Sequence, residues 1–392
     1  MTEQRTRVIV IGGGYAGVLA ANHLRLNERV DITLVNPRPE FVERIRLHQL
    51  VTGSDDAVVD YAEILGDGIN LTVDSVTRID APERRIELAG GGELNYDYLI
   101  YAIGSHGAAP VVPGAAEFAY PISELEHAEQ LKKAFHAAGA DAPMTVVGAG
   151  PTGLEVAAEF AEEGRRVTLV CGGVLGPYLH ARGRRAAAKR LTRLGVTIVD
   201  GPGTTVTEVR PDSVILADGR AIASTVTVWT AGFGVPDLAA RSGLSTDAAG
   251  RLLTDETLTS VDDARIVAAG DASAPSNLPL RMSCQAAIPL GAQAANTVLS
   301  RIAGTEPKLL NQAFTGQCIS LGRTGGLVQL AHLDDTVMPL HIGGRTAATI
   351  KEAVCKGTVS FLQREARKPG SYFWLKGGKR QQKVAAAEPV RP

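Results

Sequence analysis

Two stretches of this chain carry one pattern. "RVIVIGGGYAGVLAANHL" followed by "VDITLVNP", and "MTVVGAGPTGLEVAAEFAEEGRRVTLVCGG", each run apolar strand, GxGxxG, Ala-rich helix, second apolar strand. The glycines are Gly12, Gly14 and Gly17 in the first unit and Gly148, Gly150 and Gly153 in the second, 136 residues apart. In such a turn the first glycine permits the tight passage from strand to helix. The second lets backbone approach a pyrophosphate, and the third allows helix to pack closely on strand. The helix start adds amides and a positive dipole end. One GxGxxG is a weak signal, but two in matching contexts define an α/β chain with two Rossmann-like dinucleotide-binding domains.

At 392 residues the chain is too long for one ordinary core. Hydrophobic residues at 45% against 21% charged give globular composition, and a net charge of −2 gives no global bias toward nucleic acid. The cysteines Cys171, Cys284, Cys318 and Cys355 lie far apart and form no CxxC, so no disulfide framework and a reducing cytoplasm are expected; no metal is expected either. The first strand begins almost at once, so no signal peptide is expected. No apolar run reaches the length of a membrane span.

Three more segments complete a layout. "YDYLIYAIGS" (96–105) and "VTVWTAGFG" (226–234) are apolar strands ending in Ala-x-Gly-type turns, at Ala102, Gly104 and Gly232. "ARIVAAGDAS" (264–273) ends in Gly270-Asp271, where a short carboxylate is placed to accept a hydrogen bond from a sugar-like hydroxyl. This order of motifs resembles the two-dinucleotide-domain flavoprotein reductases over residues 6 to 300. The resemblance implies non-covalent FAD on the first unit (Gly12, Gly14, Tyr15, Ala16, Gly17, Asn36, Asp271) and NAD(P)H on the second (Gly148, Gly150, Gly153, Cys171). It also implies boundaries: an FAD-binding domain in two parts, 1–110 and 239–304, an inserted NAD(P)H-binding domain at 111–238, and a C-terminal α+β segment at 305–392.

Within that group, "FVERIRLHQLVTG" (41–53) lacks the redox cysteine pair of the disulfide reductases. Through Gln49, Thr52 and Gly53 it resembles the segment that runs past the flavin in type II NADH dehydrogenases and apoptosis-inducing-factor-like quinone reductases. Arg44 and His48 are its candidate cofactor contacts, with a solvated loop as the alternative for His48. The start of "RMSCQAAIPLGAQAANTVLSRIAG" (281–304) is where the family faces the flavin pyrimidine edge, which nominates Cys284, Gln285 and Ala286. The family's Ala-Gln-x-Ala-x-Gln is half present, since Pro289 stands where the second Gln belongs. Cys284 and Cys355 read as buried structural cysteines.

Glu155 and Glu159 share a helix face beside the second glycine turn. They are candidates for the reaction site, with Gln285, or else two solvated charges. The resemblance implies hydride transfer from NAD(P)H to flavin and two electrons onward to a quinone-like acceptor. A reductase for an iron–sulfur protein or biosynthetic substrate, and a slow redox-sensing flavoprotein, stay open.

Neither unit ends its second strand on a carboxylate: Asn36 and Cys171 stand there. Asn36 retains an amide for a ribose hydroxyl. Cys171 does not repel a 2′-phosphate, and with Arg182, Arg184 and Arg185 a short loop away, weak discrimination or a preference for NADPH is expected. Residues 364 to 383 carry seven Lys/Arg against Glu365, with Tyr372, Phe373 and Trp374 among them. Such a segment suits an anionic membrane surface, or is a solvated, partly disordered tail. Peripheral contact at the inner face of the membrane and a homodimer both stay open.

Overall fold

The computed structural model describes residues 5–108 and 110–387. Two five-stranded parallel sheets form its frame. In the first, the order is Ile266–Ala268, Tyr98–Tyr101, Thr6–Ile11, Val30–Asn36, Ile69–Val73. In the second it is Ala119–Pro121, Val226–Trp229, Pro143–Val147, Arg166–Val170, Thr197–Val199. The glycine-motif strand is central in both, with the second strand of its unit on one side and the Ala-x-Gly strand on the other. These central strands are continuous apolar runs such as Val8–Val10, because helices cover one face, an antiparallel layer covers the other, and no position is left to alternate toward water.

The duplication extends past the motif. Each unit inserts a three-stranded antiparallel meander ahead of its Ala-x-Gly strand, at 76–95 and at 206–223. The chain crosses between the two sheets twice, and the crossings pair antiparallel at His106–Gly107 and Phe233–Gly234.

The helix Tyr15–Leu24 packs along the helix Cys284–Ile302, and small residues make that approach possible. A Cβ on Gly291 would lie 2.2 Å from the Ala16 carbonyl oxygen. A Cβ on Gly270 would lie 3.1 Å from that of Ala16. Pro289, inside the first turns of the second helix, has no N–H for the Gln285 carbonyl, and the Gln312 side chain supplies the missing donor at 2.9 Å.

The C-terminal region forms an antiparallel sheet, 316–343, followed by the helix Gly344–Arg367. The basic and aromatic segment beyond it is not a solvated tail through residue 387. Arg380 is buried on Glu256 (2.8 Å) and also donates to the carbonyls of Leu278 and Pro275. The Trp374 indole donates to the Asn311 carbonyl, and the Ala313 amide to that of Leu375. A buried guanidinium with a paired carboxylate and two carbonyls satisfies its charge, whereas solvation of this segment would orphan Glu256. Among the described residues, no helix is long and apolar enough to cross a membrane.

Candidate functional site

The two glycine turns divide their labour identically. Gly12 and Gly148 have φ of +100° and +108°, and a Cβ there would strike the Ala-x-Gly strand end: Ala102 O at 2.3 Å in the first unit, Thr230 Oγ1 at 2.7 Å in the second. A Cβ on Gly17 or Gly153 would lie within 2 Å of the carbonyl oxygen of the first glycine, so the helix sits on its own strand. Gly14 and Gly150 have no heavy atom within 4 Å of that position and stand at the helix starts. Two open cradles beside free helix amides fit the pyrophosphates of FAD and of a nicotinamide nucleotide.

Around the first cradle the expected residues converge. Ser105, at the end of the Ala-x-Gly strand, donates to Asp271 at 2.7 Å and accepts from Arg44 at 3.2 Å. Gly104 and Gly270 take positive φ to make these turns. Asn36 holds the turn itself: its Oδ1 accepts from the Gly13 amide at 2.9 Å, and its amide donates to the Arg38 carbonyl. Tyr61 braces Gly13 from the other side by donating to its carbonyl. In the second unit Cys171 packs against the apolar core, and burial pushes its thiol up to about 12, so backbone is what it offers a ligand. Gly172, Gly173 and Gly232 all take positive φ; the first two open onto unfilled space.

Glu155 and Glu159 are not solvated charges; both are buried. With Glu162 they form one face of the helix Pro151–Glu162 that grips the C-terminal region. Glu155 accepts on one oxygen from Lys351 Nζ and from the Ser320 amide, both at 3.0 Å. Glu159 meets Arg323 at 3.0 Å and Ser54 at 2.9 Å. Glu162 accepts from the Arg323 amide and from Arg190. Burial alone would raise Glu155, yet Lys351, His48 and the Ser320 amide hold it below the usual carboxylate range. For Glu159 burial wins over Arg323 and the carboxyl is raised. Lys351, opposed by burial but facing Glu155, is raised and stays cationic.

His48 is likewise not in a solvated loop. It is 3% exposed in the short helix Leu47–Thr52, and burial lowers it to about 4, so its imidazole is neutral. Tyr15 stacks edge-on to Phe41 at 5.1 Å, and burial raises its phenol. Cys284, Cys318 and Cys355 come from three different elements to the surroundings of Lys351, and burial raises all three thiols. Protonated thiols are poor nucleophiles, in line with the reading of Cys284 and Cys355 as structural. Ser283 caps the helix that starts at Cys284, accepting from the Ala286 amide. The Gln285 side chain lies on Thr315 at 2.8 Å.

Lys351, Arg323, Ser320, Ser105 and Tyr61 were not among the residues singled out from sequence. Lys351 left a trace: it interrupts the buried stripe Ala347, Cys355, Thr358, Leu362 of an otherwise amphipathic helix. Ser320 acts through its backbone and left none.

The chain belongs to the pyridine nucleotide-disulphide oxidoreductase family, whose model matches residues 6–294. That membership bears out an FAD-dependent oxidoreductase that uses NAD(P)H. An NADH dehydrogenase-like protein of Mycobacterium tuberculosis is 30% identical over 357 residues, covering 82% of this chain and 87% of the relative. The type II NADH:quinone oxidoreductase of the same organism is 28% identical, covering 78% and 74%. The sulfide:quinone oxidoreductase of Aquifex aeolicus superposes with a TM-score of 0.79 at 20% identity, over 93% of each chain, a likeness of fold.

Proposed function

We propose that this protein takes hydride equivalents from NAD(P)H and delivers two electrons to a quinone-like acceptor at the junction of its two dinucleotide units and the C-terminal region. The observation that carries this reading is the buried Glu155–Lys351 pair at that junction. FAD bound on the first unit supplies the two-electron chemistry. The chain's own residues do the rest. Gly14, Ser105, Arg44 and Asp271 hold the cofactor, and Gly150 and the backbone at 171–173 hold the nucleotide. Lys351 places a fixed cation beside the reaction site, where water is excluded and a positive charge favours an electron-rich product. Glu155 keeps that cation neutralised and oriented between turnovers, and Glu159 serves as a tie between regions instead of meeting substrate.

Arg182 and Arg184 sit in the first turn of the helix Ala181–Arg193, with Arg185 just after it, where the helix dipole disfavours cations. An anion such as a 2′-phosphate would offset that cost, which supports use of NADPH. Phe361 on the helix Gly344–Arg367 and Phe373 and Leu375 on the docked segment after it are exposed, and Lys376 lies 5.5 Å over the Trp374 ring. This rigid aromatic and basic patch supports peripheral contact with an anionic membrane. Anaerobic titration with NADH and NADPH, followed by menadione, tests the reading. Bleaching of the flavin by either nucleotide and its recovery on adding the quinone is expected; bleaching without recovery would overturn the acceptor.

A further inference from the structure

His48 does something the fold alone does not require. Buried ring nitrogens are ordinarily hydrogen-bonded. His48 Nε2 is enclosed, yet has no hydrogen-bond partner among the described residues. Its helix packs against Pro151–Glu162, so the ring lies in the field of Glu155 from that helix, of Lys351 from the C-terminal helix, of Arg323 from the C-terminal sheet, and of Arg46 just upstream on its own segment. Glu155 accepts from Lys351 Nζ and the Ser320 amide on Oε1. An enclosed ring nitrogen without a partner therefore stands in the field of a buried ion pair, at the junction proposed above for the acceptor.

Reduction of a quinone consumes two electrons and two protons, whereas NAD(P)H brings two electrons and one hydrogen. The balance is NAD(P)H + H⁺ + quinone → NAD(P)⁺ + quinol, and the remaining proton has to reach the acceptor oxygen through the protein. A neutral imidazole suits this task, because it accepts a proton on one nitrogen as it releases one from the other and ends in the opposite tautomer with no net charge.

We propose that His48 is the proton-carrying link between the Glu155–Lys351 pair and the acceptor, a role that rests on the quinone reading above. An N–H bond forms on one ring nitrogen as an Nζ–H bond of Lys351 breaks, the N–H on the other ring nitrogen breaks toward the acceptor oxygen, and Lys351 regains a proton from solvent. No electron passes through the relay.

Two measurements test this. In FAD-loaded protein carrying ¹⁵N-histidine, with His48 assigned by its loss in His48→Gln, the ring nitrogens should show neutral imidazole exchanging between both tautomers from pH 5 to 9. One fixed tautomer across that range overturns the relay. In kinetics, His48→Gln should lower menadione turnover about a hundredfold. Its turnover of ferricyanide, which takes electrons and no protons, should stay within about threefold. Equal losses with both acceptors, or no loss with either, overturn the relay. If the wild-type protein reduces ferricyanide but no quinone, the acceptor reading and the relay fall together; quinone activity unchanged in His48→Gln sinks the relay alone. Should the variant not fold, the NMR of wild-type protein decides, with His48 assigned by through-bond correlation.

Discussion

The two dinucleotide units share strand order, glycine geometry and an inserted meander, and they differ in how the turn is braced. In the first unit Gly13 is held by side chains on both faces, Asn36 on its amide and Tyr61 on its carbonyl. In the second, Ala149 occupies that position, and its carbonyl is met by the backbone amide of Gly176. A turn clamped by a buried phenol and an amide suits a cofactor that stays. A turn met by a glycine loop suits a nucleotide that must leave after every turnover. The helices diverge in the same register. Leu19 of the first unit corresponds to Glu155, and His23 to Glu159. His23 meets the buried Glu365 at 2.6 Å, while Glu159 meets Arg323. Both units thus use one helix position to bind the C-terminal region, with the acid on opposite sides; at the position before it, one unit has a core leucine and the other a charged site.

The comparison can be broken first at the glycines. Gly12→Ala adds a Cβ into backbone at positive φ and should yield colourless protein without FAD. Gly148→Ala should remain yellow but resist bleaching by NADH or NADPH; a colourless Gly148→Ala would show that the units are not separable. Next, Glu155→Gln leaves Lys351 buried with no counter-charge and should cost about 3 kcal/mol or more in chemical denaturation. Leu19→Met at the corresponding position should cost less than about 1.5 kcal/mol.

A third effect is read in acid. The folded pKa of His48, about 4, lies below the unfolded value of roughly 6.5. The neutral ring therefore contributes its full stability above pH 6.5, and that contribution is lost as pH falls from 6.5 toward 4. His48→Gln should show a shallower decline of melting temperature over that window, and equal slopes would remove His48 from the account.

Smaller again, Asn36→Ala frees the Gly13 amide and should weaken FAD binding about tenfold, the equivalent of one hydrogen bond. Cys171→Ala should leave both nucleotide affinities within about twofold. Last, the wild-type protein should prefer NADH over NADPH by less than about a hundredfold in kcat/KM. Cys171→Glu should shift that ratio about tenfold toward NADH, since like charges repel at short range.

Much of this was legible in the sequence because glycine motifs are backbone statements: positive φ and close approach leave few residue choices, so Gly12, Gly17, Gly148 and Gly153 could be assigned roles from spacing alone. Asp271 and Arg44 were legible as candidates, but Ser105 between them was not, since a serine after a turn has many uses. The burial of His48, Glu155 and Glu159 was hidden for a different reason. Polar residues look solvated until their partners are known, and the partners Lys351, Ser320 and Arg323 lie more than 160 residues away. The solvated-tail alternative for the segment around Arg380 fails on the same ground: a run of cations looks solvated until Glu256 is found beneath one of them.

That last contact also bears on the order in which the protein comes into being. The strands of the first sheet have all been synthesised by residue 268, yet the loop at Glu256 and the carbonyls of Pro275 and Leu278 wait for a guanidinium made more than 100 residues later. Before Arg380 is made, Glu256 lacks the guanidinium that pairs with it in the folded chain. Arg380 acts as a late latch, and a chain cut short just before it would leave the cell's quality control a nearly finished domain with one door open.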